Sequence, residues 1–258
     1  MRKLSVAIIT YNEERNIERA LKSVDFADEI IVVDSFSDDM TEEICSRYSV
    51  KFSKREFKGH IDQKNHALSL AENSWVLSID ADEEVTAGLK AEIVAILKAD
   101  ITKDGYKMPR RAYYLGRWIK HSGWYPDYNI RLVDKSKAEW IGIDPHDKLS
   151  VAGEVGKLGG DLLHYPYNDL SHHFCTIDKY TSTAASRLYD KGRRASVIDF
   201  TIRPIFTFLK KYILKLGILD GLAGLVIAVT TAFYTFSKYL KLYTIQKEHD
   251  SDGTCFKG

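Results

Sequence analysis

Two aspartates separated by a single residue follow a strongly apolar stretch of this sequence. "WVLSIDADEEVT" (75–86) begins as a run suited to a protein interior and then supplies Asp80, Asp82, Glu83 and Glu84. In extended chain, side chains two positions apart point to the same side. Two carboxylates on one side suit a hard divalent cation, which also binds phosphate oxygens and can stabilise a departing diphosphate. The pair therefore indicates a nucleotide-diphosphate leaving group.

The two glutamates after this pair have two explanations. Glu83 and Glu84 precede "TAGLKAEI", in which Thr86 is a typical N-cap residue, and a helix dipole favours acids near its N-terminus. The sequence leaves open whether they tune the site or only open the next helix. A D-x-D pair alone is a weak signal, but its position after a buried strand favours a functional role for Asp80 and Asp82.

The first hundred residues alternate between short β-rich runs and amphipathic helical patterns, which is typical of a parallel sheet covered on both faces. Ligands bind such sheets at the carboxyl ends of the strands. Two strands end there in Asp34 and Asp80, and a third is followed by Tyr11 and Glu13. The predicted strands are 4–10, 29–34, 50–57 and 75–80, and the predicted helices lie around 17–24, 41–48, 63–71 and 89–97.

Composition excludes several other classes of protein. Of the 258 residues, 45% are apolar and 28% charged, which are globular values. A net charge of +1 and the lack of a nucleic-acid-binding motif argue against nucleic acid as a partner. Cys45, Cys175 and Cys255 form no metal-finger spacing, so a reducing compartment fits best. The N-terminal apolar run is too short for a secretory signal.

The C-terminal region changes character. A polar helical stretch at 169–194 precedes an apolar tail at 203–243, whose longest uncharged run, 221–237, is just short of the roughly 20 residues that a spanning helix needs. We expect this tail to attach to the surface of a membrane, because lysines bracket its apolar centre. A helical hairpin packed on protein and a true membrane span are the alternatives. The lysines are Lys210, Lys211, Lys215, Lys238 and Lys241, and the single acid between them is Asp220.

Three N-terminal stretches resemble the inverting family-2 glycosyltransferases: "SVAIITYNEERNIERALKSV", "EIIVVDSFSDDMTEEI" and "QKNHALSLAENSWVLSIDADEEVT". This resemblance implies the GT-A fold, a nucleotide-diphospho-sugar transferase fold of the α/β class. Its sheet is Rossmann-like and mostly parallel, and here it would carry a C-terminal apolar helical extension.

Later stretches resemble the lipopolysaccharide inner-core transferases, including the β-1,4-glucosyltransferase that acts on heptose. They are "YKMPRRAYYLGRWIKHSGWYPDYNIRLV", "PHDKL", "GDLLHYPYNDLS" and "GILDGLAGLVIA", so the resemblance covers nearly the whole chain. We expect a catalytic domain at 1–168, with a nucleotide-sugar half (1–103) and an acceptor half (104–168). A helical region at 169–258 would contain the membrane-associating segment.

The resemblance also implies roles for single residues on the donor side. Thr10, Tyr11 and Glu13 would border the nucleoside, and Asp34 would hydrogen-bond the base, uracil in our interpretation. Lys64 would lie near the base or the diphosphate. Asp80 and Asp82 would be the family's D-x-D pair and contact the ribose and a divalent metal, magnesium or manganese.

An inverting transfer needs a base that deprotonates the acceptor hydroxyl, and the family supplies a carboxylate from the second half of its domain. Asp147, in "DPHDKL", matches a position where related sequences carry His-Glu, and it is our preferred candidate. Asp127, in "WYPDYNIRL", is the alternative. His146 is either a third metal ligand, a phosphate contact or a plain loop residue.

A cluster of cations and rings suggests an anionic saccharide acceptor, because arginine pairs with phosphate or carboxylate and rings pack on sugar faces. Solvated arginines around an aromatic core are the alternative explanation. The cluster comprises Arg110, Arg111, Arg117, Trp118, Lys120, His121, Trp124, Tyr125 and Arg131.

These features predict a metal-dependent hexosyltransferase that moves glucose from a UDP-sugar to heptose of the lipopolysaccharide inner core. It would be cytoplasmic and peripheral on the cytosolic face of the inner membrane, with an anionic lipid-linked acceptor. One alternative is a transferase of the same fold acting on a polyprenyl phosphate, capsule or other cell-envelope acceptor. Another is a nucleotide-sugar-binding membrane scaffold without catalysis. The sequence leaves the oligomeric state open.

Overall fold

The structure, a computed structural model, describes residues 2–99, 101–144 and 146–252. It divides into two compact units. The first comprises Met1–Tyr113 and Pro126–Tyr165, and the second comprises Tyr114–Tyr125 and Pro166–Gly258. The second unit is therefore assembled from two separate pieces of the chain.

Twelve strands and seven α-helices are found in the described residues. In chain order they are β1 (Leu4–Thr10), α1 (Ile17–Ser23), β2 (Glu29–Asp34), α2 (Thr41–Ser46), β3 (Lys51–Lys54), α3 (His60–Leu70), β4 (Trp75–Asp80), β5 (Glu83–Val85), α4 (Ala87–Lys98), β6 (Gly105–Tyr114), β7 (Arg117–Trp118), β8 (Asp127–Asp134), β9 (Ala138–Ile143), β10 (His146–Val151), β11 (Val155–Lys157), β12 (Leu162–His164), α5 (Leu170–Asp190), α6 (Val197–Leu209) and α7 (Gly221–Asp252). Short 3-10 turns lie at Lys135–Lys137 and Gly217–Asp220, and a π-helical turn lies at Lys210–Leu214.

The first unit is built on a mixed sheet in the order β3-β2-β1-β4-β8-β6-β12-β5, with β11 also paired to β6. Strands β1, β2, β3 and β4 run parallel, whereas β8 is antiparallel to both β4 and β6. Strands β9 and β10 form a separate antiparallel pair. The predicted strands at 4–10, 29–34 and 75–80 are confirmed residue for residue, because parallel strands buried on both faces are continuous apolar runs.

Alternate residues of β1 enter two hydrophobic clusters on opposite faces of this sheet. Val6 and Ile8 pack in one cluster with Leu21 of α1. Ala7 packs in the other with Ala67 of α3. The helices on both faces fix the sheet, so the residues at the carboxyl ends of β1, β2 and β4 have defined positions.

The second unit consists of α5, α6, α7 and the segment Tyr114–Tyr125. Helix α7 packs against both α5 and α6. Ala223 and Ile227 of α7 form a cluster with Ile119. Asp220 is fully buried, and its carboxylate accepts hydrogen bonds from the backbone nitrogens of Lys120 (3.2 Å) and His121 (2.8 Å). The only acid of the apolar tail therefore anchors the inserted segment.

One helix among the described residues, Gly217–Asp250, is long and apolar enough to cross a membrane. Within its most apolar window, 39% is buried inside the protein. Length and composition alone are weak evidence for a span, since core helices of soluble proteins share both.

Candidate active site

The carboxyl ends of β1, β2 and β4 bring together the polar residues that end these strands. Thr10 pairs with Asp34, and Ile9 pairs with Asp80. Asp34 is fully buried, and its carboxylate accepts hydrogen bonds from the backbone nitrogen (2.9 Å) and the hydroxyl of Ser37. The hydroxyl of Thr10 is buried without a hydrogen-bond partner among the described residues. The predicted polar edge of the sheet is thus present.

The loop after β1 and the loop after β2 are hydrogen-bonded to each other, and both expose aromatic rings. The backbone nitrogen of Asn12 donates to the Ser37 hydroxyl (2.8 Å), and that of Asp38 donates to the Asn12 side chain (2.9 Å). Tyr11 and Phe36 are each 58% exposed. Phe36 also has a positive φ of 61°, a costly conformation for a bulky residue that often marks a functional position. Both rings are free to stack on a flat ligand.

Lys64 connects the preferred base to the first aspartate of the D-x-D pair. It lies on α3, is nearly buried, and packs over the ring of Trp140 at 4.3 Å. Its Nζ is 2.8 Å from Oδ2 of Asp147 on β10 and 3.1 Å from Oδ1 of Asp80. The ammonium group of Lys64 therefore joins a carboxylate of the neighbouring strand β4 to one that lies 83 positions away in the sequence.

From Asp80 the ionic contacts continue through two arginines. Nη2 of Arg131 lies 3.1 Å from Asp80 and 2.7 Å from Glu83, and Arg110 lies 3.4 Å from Glu83 and 2.9 Å from Asp127. We call this series of alternating charges the charge row. Its members, in order, are Asp147, Lys64, Asp80, Arg131, Glu83, Arg110 and Asp127. The two candidate bases, Asp147 and Asp127, thus lie at opposite ends of the charge row.

Burial and neighbouring charges shift the pKa values of two carboxyls of the site, Asp80 of the charge row and Glu13 outside it. Burial alone would raise the pKa of Asp80, but the positive charges of Lys64 and Arg131 outweigh it and hold this pKa well below its usual range. Glu13 behaves in the opposite way, because burial and then the negative charge of Asp82 raise its pKa to about 7. One carboxyl of the site is therefore held ionised and another titrates near neutral pH.

Asp82 lies beside a histidine that the sequence did not indicate. Its Oδ2 is 3.2 Å from Nε2 of His164, and both side chains are partly exposed. This contact exists because β12, which carries His164, pairs antiparallel with β5 directly after Asp82. A carboxylate oxygen and an imidazole nitrogen fit a divalent cation such as Mn²⁺. No group of three or more His, Cys, Asp or Glu residues positioned to hold a metal is found in the described residues, and the His146 side chain lies outside them.

The predicted acceptor cluster is divided between the two units. Arg110 and Arg131 belong to the charge row of the first unit, where Arg131 is only 3% exposed. Arg111 lies 3.4 Å from Asp161. The other six residues all belong to the second unit. The guanidinium of Arg117 donates to the backbone oxygen of Asp220 (2.7 Å), and the backbone nitrogens of Lys120 and His121 donate to the Asp220 carboxylate. Trp118 and Tyr125 are half-buried, and Trp124 packs on Tyr114.

The two glutamates after the D-x-D pair lie in a strand, not in the first turn of the helix. Glu83 and Glu84 belong to β5, and Thr86 is the N-cap of α4, as predicted, with its side chain accepting from the Leu89 nitrogen (3.2 Å). Glu83 is 1% exposed and accepts from the backbone nitrogen of Asp80 (3.0 Å). It is therefore part of the site.

Comparison with known proteins places this geometry in a family. Residues 5–148 match the family model described as Glycosyl transferase family 2. An uncharacterised glycosyltransferase of Rickettsia typhi is 32% identical over 94% of this chain and 87% of its own. The lipopolysaccharide core biosynthesis glycosyltransferase LpsC of Rhizobium meliloti is 28% identical over 93% of this chain and 92% of its own. The crystal structure of S. aureus TarS 1–349 in complex with UDP is 14% identical, with a TM-score of 0.49, and covers 97% of this chain and 92% of that one.

The family match covers more than half of the chain, and the Rickettsia relative aligns with it over nearly its whole length. The GT-A fold, with its long apolar C-terminal helix, is therefore confirmed, and the chain is a glycosyltransferase. It belongs to glycosyl transferase family 2.

Proposed function

We propose that the enzyme transfers a hexose, glucose in our specific hypothesis, from a UDP-sugar to a heptose of the lipopolysaccharide inner core, with inversion at the anomeric carbon. The observation that carries the proposal is the contact of Lys64 with both Asp147 and Asp80. Through this contact, the carboxylate of Asp147, our proposed base, lies close to Asp80 of the D-x-D pair, where we propose that the diphosphate leaves. The name of the Rhizobium relative supports lipopolysaccharide core as the acceptor class.

In this proposal Asp147 is the general base. The acceptor hydroxyl gives its proton to the Asp147 carboxylate while its oxygen forms the new bond to the anomeric carbon. The bond from that carbon to the diphosphate breaks, and UDP leaves with the electron pair. The Asp147 carboxylate is 12% exposed and contacts Lys64 through one oxygen, Oδ2. Asp127 is the alternative, but two nitrogens of Arg110 and the Asn129 amide already engage its Oδ2.

We further propose that Asp82 and His164 hold a divalent cation, magnesium or manganese. Such an ion supplies positive charge that stabilises the diphosphate as it leaves. The oxygens of Asp80 face Lys64 and Arg131, so this residue contributes to the site mainly by holding those two cations in place. Arg131, which is buried, acts as a positioning residue and does not contact the acceptor.

The donor nucleoside fits the edge formed by β1 and β2. The exposed rings of Tyr11 and Phe36 offer stacking surfaces, and the unpaired Thr10 hydroxyl is a hydrogen-bonding group at the same edge. The Asp34 carboxylate already accepts hydrogen bonds from Ser37. In our interpretation, either Ser37 moves away when Asp34 binds uracil, or Asp34 and Ser37 bind uracil together.

The acceptor in this proposal is an anionic, lipid-linked saccharide, so the enzyme works at the cytosolic face of the inner membrane as a peripheral protein. Exposed Arg117 and half-buried Trp118 and Tyr125 are the residues of the second unit that we assign to it.

The proposal is tested by incubating the purified enzyme with several UDP-sugars and truncated lipopolysaccharides and measuring the mass added to the product. We expect one hexose from UDP-glucose on a heptose-terminated core. Transfer to polyprenyl phosphate instead, or UDP binding without transfer to any acceptor, would reject the assignment.

Residue roles are tested by a matched set of carboxylate variants. Asp82→Asn should abolish transfer with the fold intact by circular dichroism, and chelation followed by adding Mg²⁺ or Mn²⁺ should remove and restore activity. Asp147→Asn should retain UDP binding but lose at least about a hundredfold in kcat, the usual contribution of a general base. Asp127→Asn is the control. If it loses turnover and Asp147→Asn does not, Asp127 is the base.

A further inference from the structure

The outward face of α6 is apolar, which is the reverse of an ordinary surface helix. Its other side packs on α7, where Phe200 contacts Tyr243 with ring centroids 5.4 Å apart. Five large apolar residues within an arc of about 100° are exposed by 42% to 64%. They are Ile198, Ile202, Ile205, Phe206 and Leu209.

The apolar surface continues beyond α6 into the turns before α7. Ile213, Leu214, Leu216, Ile218 and Leu219 each expose more than half of their surface. Consecutive exposed apolar residues of this size are unusual in a soluble protein. Where they occur, they normally mark a site of interaction.

The first half of α7 adds a third apolar strip. Exposed apolar residues recur along one side of this helix, while Ala223 and Ile227 on the opposite side are buried in the second unit. Phe236, at the end of the strip, contacts Phe200 of α6, so this end of the strip lies beside α6. The strip comprises Leu222, Leu225, Val229, Phe233 and Phe236. We call the three parts together the apolar face.

The charges around the apolar face are almost all positive. Asp220 is the only acidic residue between Thr201 and Lys247, and it is fully buried. No described residue forms an ion pair with Lys210, Lys211 or Lys215. Burial, and then the charges of Lys210 and Lys215, lower the pKa of Lys211. The basic residues of this stretch are Arg203, Lys210, Lys211, Lys215, Lys238, Lys241 and Lys247.

The second half of α7 is tied to a polar helix. Lys241 lies 2.6 Å from Asp178 of α5, and Gln246 hydrogen-bonds the backbone oxygen of Ala195 (3.2 Å). A span by α7 would draw the polar surface of α5 into hydrocarbon, where its polar groups would have no water to bind. An orientation along the membrane surface avoids that cost.

We propose that the apolar face inserts into the interfacial layer of an anionic lipid bilayer, with α6 lying along the surface and the exposed Lys210 and Lys215 contacting lipid phosphates. Apolar burial and attraction of lysines to anionic headgroups together give stable interfacial binding. A second copy of the chain is a poorer occupant, because it would bring a face of the same positive charge. This surface deepens the membrane placement proposed above but needs no sugar transfer.

The test measures flotation of the full chain with vesicles of phosphatidylcholine, with or without phosphatidylglycerol. Wild type should bind the anionic vesicles more tightly, and added salt should weaken that binding. The double variant Lys210→Gln/Lys215→Gln should bind anionic vesicles about thirtyfold more weakly, since each lysine contributes about fivefold. Lys179→Gln, an exposed lysine of α5, is its control.

A second pair of variants tests the apolar contribution. Ile202→Asp/Phe206→Asp should weaken binding to both vesicle types more than tenfold. Leu70→Asp, which changes an exposed leucine of the first unit, should bind as wild type does. Circular dichroism and UDP binding show that each variant is folded, and because flotation uses no substrate, a failed transfer assay leaves this test intact.

Three outcomes would overturn the proposal. The first is a wild-type chain that floats with neither vesicle. The second is a solution dimer that Ile202→Asp/Phe206→Asp dissociates without changing lipid binding, which would make the apolar face a contact between copies. The third is a wild-type chain in native membranes that resists both salt and alkaline carbonate and whose C-terminus is cleaved by protease only from the opposite side, which would establish α7 as a span.

Discussion

Glu13 should make the stability of this enzyme depend on pH near neutrality. Its carboxyl has a pKa of about 7 in the folded chain against 4.5 as the ordinary value, because it is buried and lies in the field of Asp82. The unfolded chain releases this proton near pH 4.5, whereas the folded chain keeps it to about pH 7. The free energy of unfolding must therefore fall as pH rises through that window, and the stabilising contribution is lost above it.

The magnitude follows from the same two pKa values. One pKa unit corresponds to about 1.4 kcal/mol, so the difference between 4.5 and about 7 is worth between about 3 and 4 kcal/mol. Solvent at this partly buried side chain screens part of the charge, and we expect about 2 kcal/mol. Glu13→Gln removes the ionisation, so the variant should be more stable than wild type by this amount at about pH 8.

The assay is urea unfolding of both proteins between about pH 5 and about pH 8, with chelator present so that no cation neutralises Asp82. The two proteins should be nearly equal at the acidic end and separate as pH rises. Glu56→Gln, which changes an exposed glutamate, should run parallel to wild type throughout. If Glu13→Gln also runs parallel to wild type, the carboxyl does not titrate near 7 and the reasoning fails.

Three further predictions concern ion pairs and hydrogen bonds described above. Arg131→Met should lower the free energy of unfolding by about 3–5 kcal/mol, because it strands the buried charge of Glu83, and adding Glu83→Gln should recover much of the loss in urea unfolding. Lys64→Met should reduce turnover more than tenfold in initial-rate assays, because Asp80 and Asp147 lose their shared cation, while Lys64→Arg should keep part of the rate. Asp220→Asn should cost about 2–3 kcal/mol in thermal unfolding, because it weakens charge-assisted hydrogen bonds to the Lys120 and His121 nitrogens, and an unchanged melting curve would contradict this anchoring role.

Local patterns predicted the first half of the fold well. Strands β1, β2 and β4 are continuous apolar runs, and such runs end where the polar edge of the sheet begins. The N-cap at Thr86 was likewise visible in the sequence, because a cap depends on residues within one helical turn.

Long-range pairing explains what the sequence could not indicate. Strand β5 has the composition of a helix start, with two glutamates before a threonine, and it is extended only because it pairs with Leu162–His164. The same pairing brings His164 to Asp82. No periodicity near either residue carries that information.

The candidate site was predictable by residue type but not by contact. The sequence placed Asp34 and Asp80 at one edge of the sheet, and both lie there. The meeting of Lys64 and Asp147, 83 positions apart, depends on how β10 is placed by the fold. Arg131 shows a second limit of sequence-based prediction. The sequence grouped it with nearby cations and aromatic residues as an acceptor contact, and nothing in that pattern indicated that its side chain is buried.

The two-piece origin of the second unit limits how this protein can be shortened. Because Tyr114–Tyr125 leaves the first unit and returns to it, the helical unit cannot be removed by ending the chain after Tyr165. Such a chain would keep Ile119 without the α7 residues Ala223 and Ile227 that cover it. A variant that lacks the proposed membrane contact is therefore better sought by replacing the outward side chains of α6 than by deleting helices.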